Sequence, residues 1–118
     1  MHRWLTSEFR ERHPAIVAGL GTRFEATSVD GYVGCCAALR DADLRPVAAR
    51  VACPALVVTG RHDPSTPPAD GRWLGEQIGG ARVVELDAAH LSNVERAGDF
   101  NAAVEGFITT DDDRITHG

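Results

Sequence analysis

Two ionisable residues, Asp63 and His90, end two similar apolar stretches and are the side chains of this sequence best placed to do chemistry. Asp63 ends Pro54-Ala-Leu-Val-Val-Thr-Gly-Arg-His-Asp63, and His90 ends Arg82-Val-Val-Glu-Leu-Asp-Ala-Ala-His90. A carboxylate beside an imidazole fixes the tautomer of the ring and stabilises the imidazolium that forms when the ring takes a proton. The pair therefore indicates acid–base chemistry if the fold brings the two side chains together.

The surrounding sequence predicts a β-α-β-α unit that would do so. Leu56-Val57-Val58 is apolar without alternation, which is typical of a strand in a parallel sheet, and residues 83–86 form the second strand. A helix at 69–78, closed by Gly79-Gly80, connects the strands, and a last helix at 99–108 packs on the sheet. Both strands then end at the same edge, where open α/β sheets bind ligands, so Asp63 and His90 are predicted neighbours. In the alternative interpretation, Asp63 only caps the loop Asp-Pro-Ser-Thr and His90 is a surface residue.

The first part of the chain is predicted to be helical throughout. Apolar spacing and cap residues indicate a short helical turn at 4–12, helices at 14–26 and 29–40, and one or two turns at 44–49. We therefore divide the chain into a helical segment at 1–50, a β-α-β-α part at 51–110 and a polar tail at 111–118.

Composition excludes several classes of function. The chain has 118 residues, a net charge of −5 and no cluster of Lys and Arg from which to build a nucleic-acid surface. No apolar run approaches the ~20 residues that span a bilayer, and the first residues contain no signal sequence, so we expect a cytoplasmic protein that does not enter a membrane. Cys35, Cys36 and Cys53 offer no disulfide framework, and we expect them to be small buried residues.

Longer strings resemble a known family. The stretch at 54–107, with Gly60-Arg-His-Asp-Pro-Ser-Thr-Pro-Pro68 and above all Val84-Glu-Leu-Asp-Ala-Ala-His-Leu-Ser-Asn-Val-Glu95, resembles the C-terminal part of the α/β hydrolases, and within them the 3-oxoadipate enol-lactonases. Arg3-Trp4-Leu-Thr and the segment from Gly31-Tyr32 to Asp43 resemble the end of that family's helical cap. The resemblance runs over roughly residues 3–108.

The resemblance implies an α/β fold, namely a C-terminal fragment of the α/β-hydrolase fold with the end of the cap followed by β-α-β-α with parallel strands. It implies that Asp63 is the acid and His90 the base of a catalytic triad, and that Trp4 faces the substrate pocket, although Trp4 is equally plausible as a packing residue. The implied reaction is hydrolysis of a small-molecule enol-lactone in aromatic-compound degradation by the β-ketoadipate route. It needs no metal or organic cofactor.

One third of that triad is missing from the sequence. The family's serine lies in a Gly-x-Ser-x-Gly elbow, and none of Ser7, Ser28, Ser65 and Ser92 has such flanks. We therefore expect a truncated product, or a C-terminal fragment of a longer reading frame with Met1 as an internal start, that is inactive by itself. The strand at 55–59 would keep an unpaired edge.

Three functional interpretations follow from the sequence. The first is an enol-lactonase-type hydrolase represented by a piece with acid and base but no nucleophile. The second is a non-catalytic remnant or assembly module whose open sheet edge pairs with a missing N-terminal half or with a second copy. The third is a metal site built from His62, Asp63 and His90, which lacks further ligands of suitable spacing.

Overall fold

The structure, a computed structural model, describes residues 2–115, with side chains described up to residue 110. The predicted order of helices and strands is confirmed, and a short helix, α6, was not predicted. The elements are α1 (Ser7–Arg12), α2 (Pro14–Glu25), α3 (Val29–Asp41), α4 (Arg45–Ala48), β1 (Leu56–Gly60), α5 (Pro68–Gln77), β2 (Arg82–Leu86), α6 (Ser92–Glu95) and α7 (Ala97–Ile115).

The helices of the first segment begin where the sequence supplies start signals. The hydroxyl of Thr6 accepts a hydrogen bond from the amide of Phe9 at 3.3 Å, which caps α1. The hydroxyl of Ser28 accepts one from the amide of Gly31 at 3.3 Å and caps α3 in the same way. Pro14 stands at the start of α2, where its missing amide hydrogen costs no helical hydrogen bond.

Strands β1 and β2 pair in parallel, with a register that runs from Leu56 opposite Arg82 to Gly60 opposite Leu86. The crossover helix α5 lies close to this sheet because two glycines, one helical turn apart, face it. A Cβ atom on Gly71 would lie 2.6 Å from a methyl group of Thr59, and one on Gly75 would lie 2.3 Å from a methyl group of Val83. The sequence thus makes room for the helix that joins the two strands.

Helix α7 is longer than predicted, since it continues past Ile108 to Ile115. Threonine is a poor helix former, but the hydroxyls of Thr109 and Thr110 donate to the carbonyls of Glu105 and Gly106 at 2.9 and 2.6 Å. Both hydroxyls thus have a partner within the helix, which passes through two residues that the sequence suggested as its end. Residues 116–118 of the predicted tail lie outside the described residues.

The core of the described residues is small. Helices α2 and α3 contain no buried residue, and the radius of gyration is 16.6 Å, where a compact domain of this length has about 13–14 Å. The expectation of buried cysteines is wrong: all three are exposed, two of them on α3. Within residues 2–115, no helix is both long enough and apolar enough to cross a membrane. The buried apolar residues are Leu5, Ala48, Ile78, Leu86, Ala88 and Ala89.

Candidate functional site

The loops that follow β1 and β2 run side by side because backbone hydrogen bonds continue beyond the sheet. The amide of Arg61 donates to the carbonyl of Leu86 at 2.8 Å, and the amide of His62 donates to the carbonyl of Ala88 at 2.9 Å. This pairing fixes where the first loop presents Asp63 relative to the second loop, which presents His90.

Asp63 and His90 are hydrogen-bonded to each other, as the sequence predicts for neighbours at this edge. The distance from Nδ1 of His90 to Oδ2 of Asp63 is 2.7 Å. The other oxygen, Oδ1, accepts from the amides of Ser65 and Thr66 at 2.7 and 3.1 Å. The capping interpretation and the paired interpretation of Asp63 therefore both hold, because each uses a different carboxylate oxygen.

The ionised carboxylate sets the protonation of the imidazole. A carboxylate can only accept hydrogen bonds, so the nitrogen that faces it, Nδ1 of His90, must carry the proton. The lone pair of the neutral ring then lies on Nε2, directed away from Asp63. The ring can take a proton at Nε2 while Asp63 compensates the charge, which is the arrangement of a general base.

The hydroxyl of Thr66, which the sequence analysis missed, completes the shell around the carboxylate. It donates to Oδ2 of Asp63 at 2.7 Å and lies 3.4 Å from Nδ1 of His90. The Asp-Pro-Ser-Thr sequence could have indicated this contact, since Asp side chains commonly bond to groups two and three residues further along a turn.

Burial and hydrogen bonding act in opposite directions on the pKa of Asp63. Burial raises the pKa, whereas the bonds from the Thr66 hydroxyl, from His90 and from the amides of Ser65 and Thr66 lower it. The hydrogen bonds prevail, and the pKa of Asp63 lies below its ordinary value of 3.8. The carboxylate is therefore ionised at neutral pH, as the pairing with His90 requires.

We expect this lowered pKa to make stability depend on pH. Below the ordinary value of 3.8, the unfolded chain binds a proton at Asp63 more readily than the folded chain does. The stabilisation by Asp63 is thus complete above that pH and is lost as the pH falls through the folded pKa. Urea titrations at pH 6 and pH 3 should show a larger loss of unfolding free energy for the natural chain than for Asp63→Asn. Equal losses in the two proteins would contradict the assignment.

The backbone on the far side of His90 is fixed by the start of the chain. The amide of Leu91 donates to the carbonyl of Trp4 at 2.8 Å, and the Trp4 ring packs edge-on against Phe24 with 5.2 Å between ring centroids. Trp4 is thus half-buried next to the loop of His90. Its predicted contact with substrate stays a prediction.

A second pair of the same type, His62 and Asp87, lies nearby. Nε2 of His62 is 2.9 Å from Oδ1 of Asp87, and Arg96 also binds this carboxylate, at 3.0 Å. The Asp87 side chain is 51% exposed, whereas that of Asp63 is 4% exposed and that of His90 38%. The second pair lines a cavity of about 740 Å³ that Asp63 and His90 do not line. The Asp63–His90 pair is the stronger candidate because its carboxylate is buried, whereas solvent screens the carboxylate of Asp87 and weakens its control of the imidazole.

The metal interpretation is not supported by this arrangement. His62 faces Asp87 while Asp63 faces His90, so the three proposed ligands are held apart by other partners. Among the side chains that the structure describes, no group of three or more His, Cys, Asp or Glu could hold a metal ion.

An aspartate and then a histidine, each in the loop that follows a parallel strand, stand in the chain order of the acid and the base of the α/β hydrolases. The α/β-hydrolase family model described as TAP-like protein matches residues 22–111. The chain belongs to the α/β-hydrolase superfamily.

Individual relatives are hydrolases by name. The 3-oxoadipate enol-lactonase 2 of Acinetobacter baylyi is 45% identical over 106 residues, which are 90% of this chain and 40% of the relative. The crystal structure of the enol-lactonase from Burkholderia xenovorans matches with a TM-score of 0.89 and 47% identity, covering 91% of this chain and 41% of that one. A hydrolase from Pseudomonas aeruginosa matches with a TM-score of 0.85 and 39% identity, covering 90% and 40%. The predicted fold class is confirmed, and the chain spans about two fifths of the length of these relatives.

Proposed function

We propose that this chain supplies the acid and the base of a hydrolase of the 3-oxoadipate enol-lactonase type. The observation that carries the proposal is the 2.7 Å hydrogen bond between buried Asp63 and Nδ1 of His90, which leaves Nε2 available to a reacting group. The 45% identity to a 3-oxoadipate enol-lactonase supports the choice of substrate class.

In the proposed reaction, His90 moves protons for a serine supplied by the rest of the enzyme. Nε2 of His90 takes the hydroxyl proton as the serine oxygen attacks the lactone carbonyl, and the imidazolium gives this proton to the leaving ring oxygen, so that ring opening yields an enol that tautomerises to the ketone. The neutral His90 then takes a proton from water as the water attacks the acyl-enzyme, and it returns that proton to the serine oxygen as the carboxylic acid leaves. Asp63 stays ionised throughout and stabilises the imidazolium.

The partner implied by this proposal is the portion of the hydrolase fold that the chain does not match. Strand β1 pairs only with β2 among the described residues, so its other edge is open to a further strand. Large apolar side chains are exposed in the first segment, and a neighbouring sheet or helix would bury them. They include Val29, Val33, Leu39 and Leu44. We propose that this partner carries the nucleophile and that the chain alone is inactive.

A chimera tests this function. This chain replaces the matching 40% of the Acinetobacter baylyi enzyme, and hydrolysis of 3-oxoadipate enol-lactone is measured for the chimera, for this chain alone and for this chain mixed with the remaining part of the relative. We expect activity in the chimera, none in the chain alone, and loss of the activity in the His90→Ala chimera. His62→Ala is the matched control, because it removes the imidazole of the exposed pair.

The results also separate the lactonase from its alternatives. A folded chimera that hydrolyses p-nitrophenyl acetate but not the enol-lactone would support His90 as the base and would refute the enol-lactone as the substrate. A folded chimera without any activity would refute the function. It would favour the second candidate, an assembly module, which the open edge of β1 supports.

A further inference from the structure

Glu95, which is not part of the Asp63–His90 pair, binds the backbone amides of two residues that are far apart in the sequence. Oε2 of Glu95, on α6, accepts a hydrogen bond from the amide of Ala89 at 2.9 Å. Oε1 accepts one from the amide of Thr6 at 3.2 Å and a second from the Thr6 hydroxyl. One carboxylate thus joins the residue before His90 to the N-cap of α1, which lies 89 positions earlier in the chain than Glu95.

The residues immediately before and after His90 both have a hydrogen-bonded backbone amide. Ala89, which is only 3% exposed, is bonded to Glu95, while Leu91 on the other side is bonded to the carbonyl of Trp4. Both flanking amides are therefore bound, one by Glu95 itself and one by the segment that Glu95 ties down. The imidazole is anchored at Asp63 and at its own backbone, so a shift of this backbone would turn the ring away from the carboxylate.

We propose that Glu95 is a positioning residue for His90, acting through the amide of Ala89 and the segment at 4–6. This inference rests on the proposed role of His90 as base. Glu95 does not touch the imidazole. It acts by holding the loop in the position from which Nδ1 of His90 reaches Asp63.

The substitution Glu95→Gln tests the proposal with little change in shape. An amide side chain has one accepting oxygen, and its NH₂ group can only donate. If the NH₂ group replaces Oε2, the amide of Ala89 loses its acceptor; if it replaces Oε1, the amide of Thr6 keeps only its longer contact of 3.4 Å to the other oxygen. In either case the clamp, by which we mean the joint hold of Glu95 on Ala89 and Thr6, is weakened on one side. Glu105→Gln, at an exposed position on α7, makes the same chemical change away from this site.

The measurement is the tautomer of the histidines, read from long-range ¹H–¹⁵N NMR spectra of the 118-residue chain at neutral pH. We expect a single Nδ1–H tautomer for His90 in the natural chain and in Glu105→Gln, and a mixture of tautomers in Glu95→Gln. Circular dichroism establishes that each protein is folded. A single tautomer in folded Glu95→Gln would overturn the proposal, since a merely structural glutamate leaves the ring unchanged.

Two further measurements keep the test decisive. If Glu95→Gln does not fold, amide hydrogen exchange in the natural chain takes the place of the tautomer measurement. Slow exchange of the Ala89 amide supports its hydrogen bond to Glu95. Exchange as fast as in an exposed loop refutes that bond. In the active chimera, Glu95→Gln should lower kcat by about 10²-fold with little change in KM, as expected when a reacting group is misplaced by about 1 Å. An inactive chimera would count against the proposed function, whereas the tautomer experiment would still decide the role of Glu95.

Discussion

Replacing Asp63 with asparagine should lower the hydrolytic kcat of the chimera by about 10⁴-fold, the effect of the corresponding change in a Ser-His-Asp triad. The amide can present its NH₂ group to Nδ1 of His90, which stabilises the tautomer with the proton on Nε2. That tautomer has no lone pair for the attacking hydroxyl. The variant also cannot compensate the imidazolium charge, so both functions of the buried carboxylate are lost together. Steady-state kinetics with the enol-lactone measures the effect.

The exposed pair supplies the control for this experiment. Asp87 binds His62 and Arg96 and has a lowered pKa for that reason, but half of its side chain faces solvent. Asp87→Asn should leave kcat within a few-fold of the unmodified chimera. If Asp87→Asn and Asp63→Asn reduced kcat equally, the assignment of the acid to the buried carboxylate would be wrong.

Local sequence patterns predicted the parts of the fold that depend on local physics. Cap residues such as Thr6 and Ser28 place helix starts because their oxygens satisfy free amides in the first turn. The unalternated apolar run at Leu56 indicated a parallel strand, and the parallel pair placed Asp63 beside His90. The prediction of the acid–base pair therefore followed from topology and not from either residue alone.

Contacts between distant segments could not be predicted in this way. Glu95 contacts Thr6 across 89 positions, and no spacing rule relates them. The helix α6 was missed because its four residues are too few for a periodic pattern and, unlike the equally short α4, it has no proline in its first turn to mark its start. The cysteines were expected in a core because free cysteine is usually buried, but α3 has no buried residue on any face. A residue type predicts burial only where the chain provides something to pack against.

Gly60 should be the glycine of this site that tolerates substitution least. It ends β1, and a Cβ atom there would lie 2.2 Å from the carbonyl oxygen of Ala89 and 2.6 Å from that of Ala88. Both obstacles are backbone atoms, so the loop of His90 would have to move as a whole. We expect Gly60→Ala to lower the free energy of unfolding by about 3 kcal/mol, the upper range for overpacking a tight site. Urea denaturation followed by circular dichroism measures the change.

Gly19→Ala is the matched control for this substitution. Gly19 lies inside α2, and a Cβ atom there would have no neighbour from outside its own helix within 4 Å, so the same change meets open space. Alanine should stabilise that helix by about 0.5–1 kcal/mol, because it loses less conformational freedom than glycine. In Gly60→Ala the displaced loop should also lose the single Nδ1–H tautomer of His90. A folded Gly60→Ala protein with natural stability and an unchanged tautomer would show that β1 and the loop of His90 are not packed backbone to backbone. The close approach that places His90 beside Asp63 would then be absent.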